Sequence, residues 1–177
     1  LLLTVLVIAC GKKDSKNPPT ESVKIERFDK ELMGVTSKDE LQKLLIKNSS
    51  VTTSFYDGSP TDTALVADLY FMAKNHEAQL LFLQTEETFG DLSKIENDFS
   101  KAFVEIKKLY PDFKEPRIVA IFSGLSNDMV VSDSLVVISL EAFIGPKSHY
   151  RPQYPDYILK RFTPDYIVPN VIRILSN

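Results

Sequence analysis

Along this chain the apolar positions first alternate, then recur at helical spacing, then run together, and each change predicts an element. Val23-Lys24-Ile25-Glu26-Arg27-Phe28 alternates and predicts a short edge strand leading into the helix-like DKELMG. Ser37, followed three residues later by Glu40, has the form of a helix start in which two side chains satisfy free N–H groups. Leu41, Leu44 and Leu45 give that helix its apolar face. Residues 49–60, rich in Ser and Thr and closed by Gly58 and Pro60, read as a loop. A second helix is expected from near Pro60 past Lys74, with Leu65, Leu69, Met72, His76, Leu80 and Leu83 near helical spacing. The clearest helix covers 92–110, where Ile95, Phe99, Ala102, Phe103, Ile106 and Leu109 form one stripe. Lys94, Glu96, Asp98, Lys101, Glu105 and Lys108 occupy its other face, which reads as solvated, and Pro111 closes it.

The pattern then changes. Arg117-Ile118-Val119-Ala120-Ile121-Phe122-Ser123 is β-branched and apolar on both faces, as a buried strand is. Asp128–Val131 and Leu135–Leu140 flank Ser132-Asp133-Ser134 and predict a hairpin. Beyond Gly145 the chain turns helical, with Pro155-Asp156-Tyr157-Ile158 echoed by Pro164-Asp165-Tyr166-Ile167. Proline suits a first helical position, the aspartates suit the helix dipole, and Thr163 offers an N-cap. Pro169 sits inside that last helical stretch, so either the helix kinks there or a new one begins. N-terminal helices, a small central sheet with a hairpin, and C-terminal helices make an α+β domain over 23–177.

Composition alters the picture mainly at the N-terminus. The 177 residues are 44% apolar and 25% charged, within the globular range. Residues 1–9, LLLTVLVIA, carry no charge and are too few to span a bilayer, which takes about 20 helical residues. They fit the apolar core of a secretory signal ending at the small Ala9. Because the chain opens on Leu, the basic start of that signal is expected upstream. Val7-Ile8-Ala9-Cys10 resembles the lipobox of bacterial lipoproteins, which makes Cys10 the lipidation site. The alternative is a core cysteine on a short strand, but Gly11, Lys12, Lys13 and Asp14 follow at once and do not suit a core. From Gly11 to Ser22 no apolar residue occurs, so 10–22 reads as a lipidated cysteine and flexible tether. Membrane lipid is thus one expected partner, through acylated Cys10. The net charge of −3 and the lack of a basic stripe with interleaved aromatics argue against nucleic acid.

Candidate chemistry is sparse. His76-Glu77-Ala78-Gln79-Leu80 supplies half of a zinc-protease H-E-x-x-H, with Leu80 in place of the second ligand. His149 has no partner in sequence, and the six glycines form no phosphate loop. Ser123-Gly124 is not a G-x-S-x-G elbow. No catalytic or metal residue and no cofactor is assigned. Glu141 ends an apolar strand beside Ser139, either reaching water, capping the next turn or serving a site. Arg161, Asp165, Tyr166 and Asn170 gather around Pro169, and with Glu141 they form a candidate partner-binding set. Aromatic and arginine side chains carry much of the energy of protein interfaces. The alternative is that these residues close the core and its rim.

Residues 24–30, KIERFDK, together with Ser132–Gly145 (SDSLVVISLEAFIG), Tyr154-Pro155-Asp156-Tyr157 and Ile167-Val168-Pro169-Asn170-Val171, resemble the gliding motility lipoprotein GldB family of Bacteroidetes-type bacteria. Asn170 stands where the family usually has an acid. Family members also extend further, so the chain is expected to be incomplete at both ends. The resemblance implies a lipoprotein of the cell envelope, anchored to a membrane and facing the periplasm. Its implied role is non-enzymatic, in gliding motility and the associated protein secretion, through contacts with other envelope proteins. The family is also distantly similar to zincin-type metallopeptidases. The alternative is therefore a degenerate or metal-dependent hydrolase with ligands further along the chain.

Overall fold

The computed structural model describes residues 22–146, 148–150 and 153–176. Cys10, the signal-like run and the tether lie outside the described residues. Val23 enters beside the sheet, and β1 (Ile25–Arg27) runs directly into α1 (Phe28–Gly34), as the alternation predicts. Ser37 caps α2 (Lys38–Lys47), its hydroxyl accepting the Glu40 N–H at 3.1 Å, while the Glu40 carboxylate reaches back to the Thr36 N–H and hydroxyl. Leu41, Leu44 and Leu45 are buried.

Two expectations fail in the next stretch. Residues 49–60 are not all loop, because Ser49–Tyr56 forms α3. Ser and Thr are weak helix formers, but Val51, Thr52 and Phe55 share a buried face, and tertiary burial outweighs propensity. The buried Thr52 hydroxyl is placed 3.1 Å from both the Leu45 and Asn48 carbonyls. The single helix expected past Lys74 is two, α4 (Thr63–Lys74) and α5 (His76–Phe89). Asn75 breaks it by adopting an extended conformation and capping α5 through its side-chain carbonyl, which accepts the Glu77 and Ala78 N–H groups. The apolar stripe is therefore reset. Val66, Leu69 and Ala73 face inward on α4 and Leu81 and Phe89 on α5, while His76, Leu80 and Leu83 are exposed.

The long amphipathic helix appears as α6 (Ser93–Leu109). Its buried stripe is narrower than expected: Ile95, Phe99 and Phe103 are buried, but Leu109 at the last turn is exposed. Then come β2 (Arg117–Ile121), β3 (Met129–Val131) and β4 (Leu135–Ser139), a 3₁₀ turn at Leu140–Phe143, α7 (Asp156–Leu159) and α8 (Pro164–Leu175).

The strands order as β1-β2-β4-β3. β1, β2 and β4 are parallel, with Ile25 opposite Ile118 and Ile118 opposite Val136, and the β3–β4 hairpin adds an antiparallel edge. Side-chain alternation divides the core between the two faces of this sheet. Val119, Ile121, Leu135 and Val137 pack with the buried residues of α1 to α4. Ile118, Ala120, Val136 and Ile138 pack with Phe99 and Phe103 of α6 and Ile167 and Val171 of α8. The fold is α+β, with helices over both faces of a small mixed sheet. Two free N–H groups at the outer β1 edge are taken by α6: Val23 donates to Ser100 Oγ and Ile25 to Glu96 Oε1, each at 3.0 Å.

Candidate functional site

The carboxyl ends of β2 and β4 lie side by side, since Ile121 pairs with Ser139. Beyond them the chain makes a polar joint. Glu141, on the 3₁₀ turn, is 0% exposed and its Oε1 accepts the Ser123 N–H at 2.6 Å and the Leu125 N–H at 3.5 Å. The Ser123 hydroxyl lies 2.8 Å from the same oxygen and 3.0 Å from the Asn127 carbonyl, so its one proton is divided between two acceptors. Gly124 and Leu125 follow in left-handed conformations (φ 66° and 70°), which turns their segment back under the carboxylate. Glu141 Oε2 and Ser139 Oγ are buried without a hydrogen-bond partner among the described residues.

Burial pushes Glu141 up to about 7, against the Ser123 donors that favour its ionised form. Tyr56 of α3 donates its hydroxyl to the Phe122 carbonyl at 2.8 Å. Its own phenol is held well above the ordinary value by burial and by the Glu141 carboxylate. The strand-end acid thus caps the loop leaving β2, not the turn that follows it, and does not reach water.

A second polar cluster stands where β1 ends. Arg27 meets the buried Asp29 with Nε and Nη2, at 2.8 and 2.7 Å, and also contacts Glu86 of α5. Lys30 reaches the other Glu86 oxygen at 2.7 Å. Burial opposes the Arg27 charge, yet Asp29 and Glu86 raise its pKa above the ordinary value. These pairs fasten β1 and α1 to α5.

The remaining candidates lie elsewhere. Glu141 turns towards Ser123 and Tyr56, whereas Ile167 and Val171 seat α8 against the other sheet face. Glu141 is enclosed, whereas Arg161, Asp165 and Tyr166 are exposed, so the acid is not presented on the surface those residues share. Asn170, from the same stretch of chain, is half-buried. Asp165, in the first turn of α8, pairs with Lys94 of α6 at 3.0 Å and raises the lysine's pKa, as does Asp98. Thr163 occupies the N-cap position, but its hydroxyl makes no cap bond. Pro164 at the first position leaves one fewer N–H to satisfy.

No new helix begins at Pro169. It is exposed inside an unbroken α8, and its ring nitrogen cannot donate to the Asp165 carbonyl one turn back.

Aromatic rings also lead outward from the core to the surface. The buried Phe143 stacks on Phe162 at 5.5 Å between centroids, and Phe162 stacks on Tyr154 at 5.3 Å. Tyr154 is half-exposed, Tyr157 is 72% exposed, and Tyr166 stands on the first turn of α8. Phe162 and Tyr154 act as supports that the apolar pattern does not mark, although their positions beside the P-D-Y copies are a usable signal. Tyr56 lies in a stretch whose composition reads as loop, and Ser123 has no sequence signal for its bond to Glu141.

His76 and His149 are both exposed and lie on different elements. Among the described residues no group of three or more His, Cys, Asp or Glu could hold a metal ion, and the zincin likeness is not confirmed. No described helix is long and apolar enough to cross a membrane.

Comparison with known proteins agrees with the motifs in KIERFDK and in Ser132–Val171. The family model of the gliding motility protein GldB matches residues 11–177, and the chain belongs to that family. Membership ties it to gliding motility. No curated protein and no solved structure matches the chain.

Proposed function

We propose that this GldB-family chain is an envelope lipoprotein that serves gliding and its associated secretion by holding other proteins, not by catalysis. The observation that carries this reading is the exposed aromatic surface over 154–166. Tyr154, Tyr157 and Tyr166 are exposed on either side of Arg161 in the chain, and Tyr154 rests on a ring stack that begins in the core at Phe143. A ring fixed from beneath, as Tyr154 is, loses little side-chain freedom on binding, so its contact area converts efficiently into affinity. Cys10 supplies the anchor, its acyl chains each contributing about 0.8 kcal/mol per buried methylene. The body then faces the periplasm on the tether that ends near Ser22.

The test is crosslinking in gliding cells with a photoreactive phenylalanine at Tyr157, compared with one at the exposed Tyr110 beyond α6. A discrete adduct with an envelope protein from position 157 alone supports the reading. No adduct, or the same adduct from both positions, contradicts it. Cys10→Ala should move the folded body from membranes to the soluble fraction, and undiminished retention would remove the anchor from the account.

A further inference from the structure

A groove of about 370 Å³ opens between the α4–α5 junction and the loop leaving β2. Phe71, Met72, Ala78, Leu81, Leu125 and Tyr150 give it apolar walls. A lone exposed phenylalanine is ordinary, but Phe71 is 73% exposed at the rim of this concave surface. Its size falls at the low end of ligand sites, which run from about 300 to 1,000 Å³.

The wall on the β2 side is fixed. Gly124 and Leu125 hold it in left-handed conformations, and Glu141 anchors it from behind through Ser123 and Leu125. A Cβ at Gly124 would stand 3.4 Å from Met72 Sδ and would also require a strained backbone. Met72, by contrast, can reshape itself around an entering group.

One charge selects the occupant. Glu77 is the charged residue of the lining, and Tyr150 donates its hydroxyl to Glu77 Oε2. Glu77 Oε1 has no donor among the described residues. An apolar groove with an acid at its mouth complements an apolar side chain with a cation beside it. A neighbouring acid would meet repulsion there.

We propose that this groove docks a segment of a partner protein in which a large apolar residue stands beside a basic one. The groove has no lining residue from the tyrosine surface at 154–166, so variants can test the two independently.

The probe is acetyl-Leu-Phe-Arg-amide, with acetyl-Leu-Phe-Glu-amide as its acidic counterpart. The protein is labelled with ¹³C at its three methionine methyls, of which Met33 is buried in α1 and Met129 lies on β3. The arginine peptide should shift the Met72 methyl saturably and leave Met33 and Met129 in place. Affinity should fall about two- to fivefold for the glutamate peptide, the size expected of one exposed charge contact. Glu77→Gln should remove that preference while Met72 still responds. An unmoved Met72, equal shifts of all three methyls, or equal affinity for both peptides would overturn the proposal.

Discussion

Glu141 Oε1 accepts the backbone N–H of Ser123 at 2.6 Å and lies 2.8 Å from its hydroxyl, tying the end of β4 to the loop leaving β2. Two neighbouring parallel strands are thereby locked at their carboxyl ends by one buried acid. Its proton has a place at Oε2, the oxygen no donor reaches among the described residues.

This joint should be visible in the pH dependence of stability. Burial raises Glu141 from 4.5 to about 7, so the folded protein binds that proton more tightly than the unfolded chain. The resulting stabilisation is complete below about pH 4.5 and is lost as pH rises to about 7. The loss amounts to about 3 kcal/mol at 1.36 kcal/mol per pH unit. Glu26, Glu86 and Glu96 are lowered by their ion pairs, so their contributions disappear only on further acidification, outside this window. Urea midpoints at pH 5 and 7.5 should therefore differ in the wild type, and Glu141→Gln should flatten the difference. An equal slope in both proteins would contradict the assignment.

The α4–α5 break gives a second expectation. Asn75 satisfies two free N–H groups of α5, so Asn75→Ala should cost about 1 kcal/mol, while Asn75→Asp should keep most of the stability. Chemical denaturation of the two variants separates a capping role from a loop position indifferent to its side chain.

The ring stack should show a gradient from core to surface. Phe143→Ala empties a fully buried site and should cost about 3–5 kcal/mol. Tyr154→Ala, at the half-exposed end of the stack, should cost under about 1.5 kcal/mol, since it loses one ring contact and little buried area. Equal losses would mean that Tyr154 belongs to the core and is not presented on it.

Local features of the chain were legible where short-range chemistry decides. Ser37 and Glu40 mark their own helix start, the Ile95–Phe99–Phe103 stripe marks α6, and Ser132-Asp133-Ser134 marks the hairpin. Long-range relations were not. Nothing near Ile25 specifies that it pairs with Ile118, because parallel strands need a distant crossover. The helix at Ser49–Tyr56 forms against its own composition, since Val51 and Phe55 find a core that only the folded sheet provides. The role of Glu141 was hidden for the same reason, as its partner loop lies across β3 and the turn. The surface residues fared better: Arg161, Asp165 and Tyr166 do share an exposed stretch, because they are close in sequence.

Partner contact through the 154–166 surface is the central claim, and the double variant Arg161→Ala, Asp165→Ala tests it most directly. The Asp165–Lys94 pair is exposed on both sides, so its loss should leave the melting temperature within a few degrees. Colony spreading and the Tyr157 crosslink should both fail in cells carrying the variant at wild-type levels. A stable variant that glides normally and still forms the crosslink would contradict the account, and so would one that unfolds.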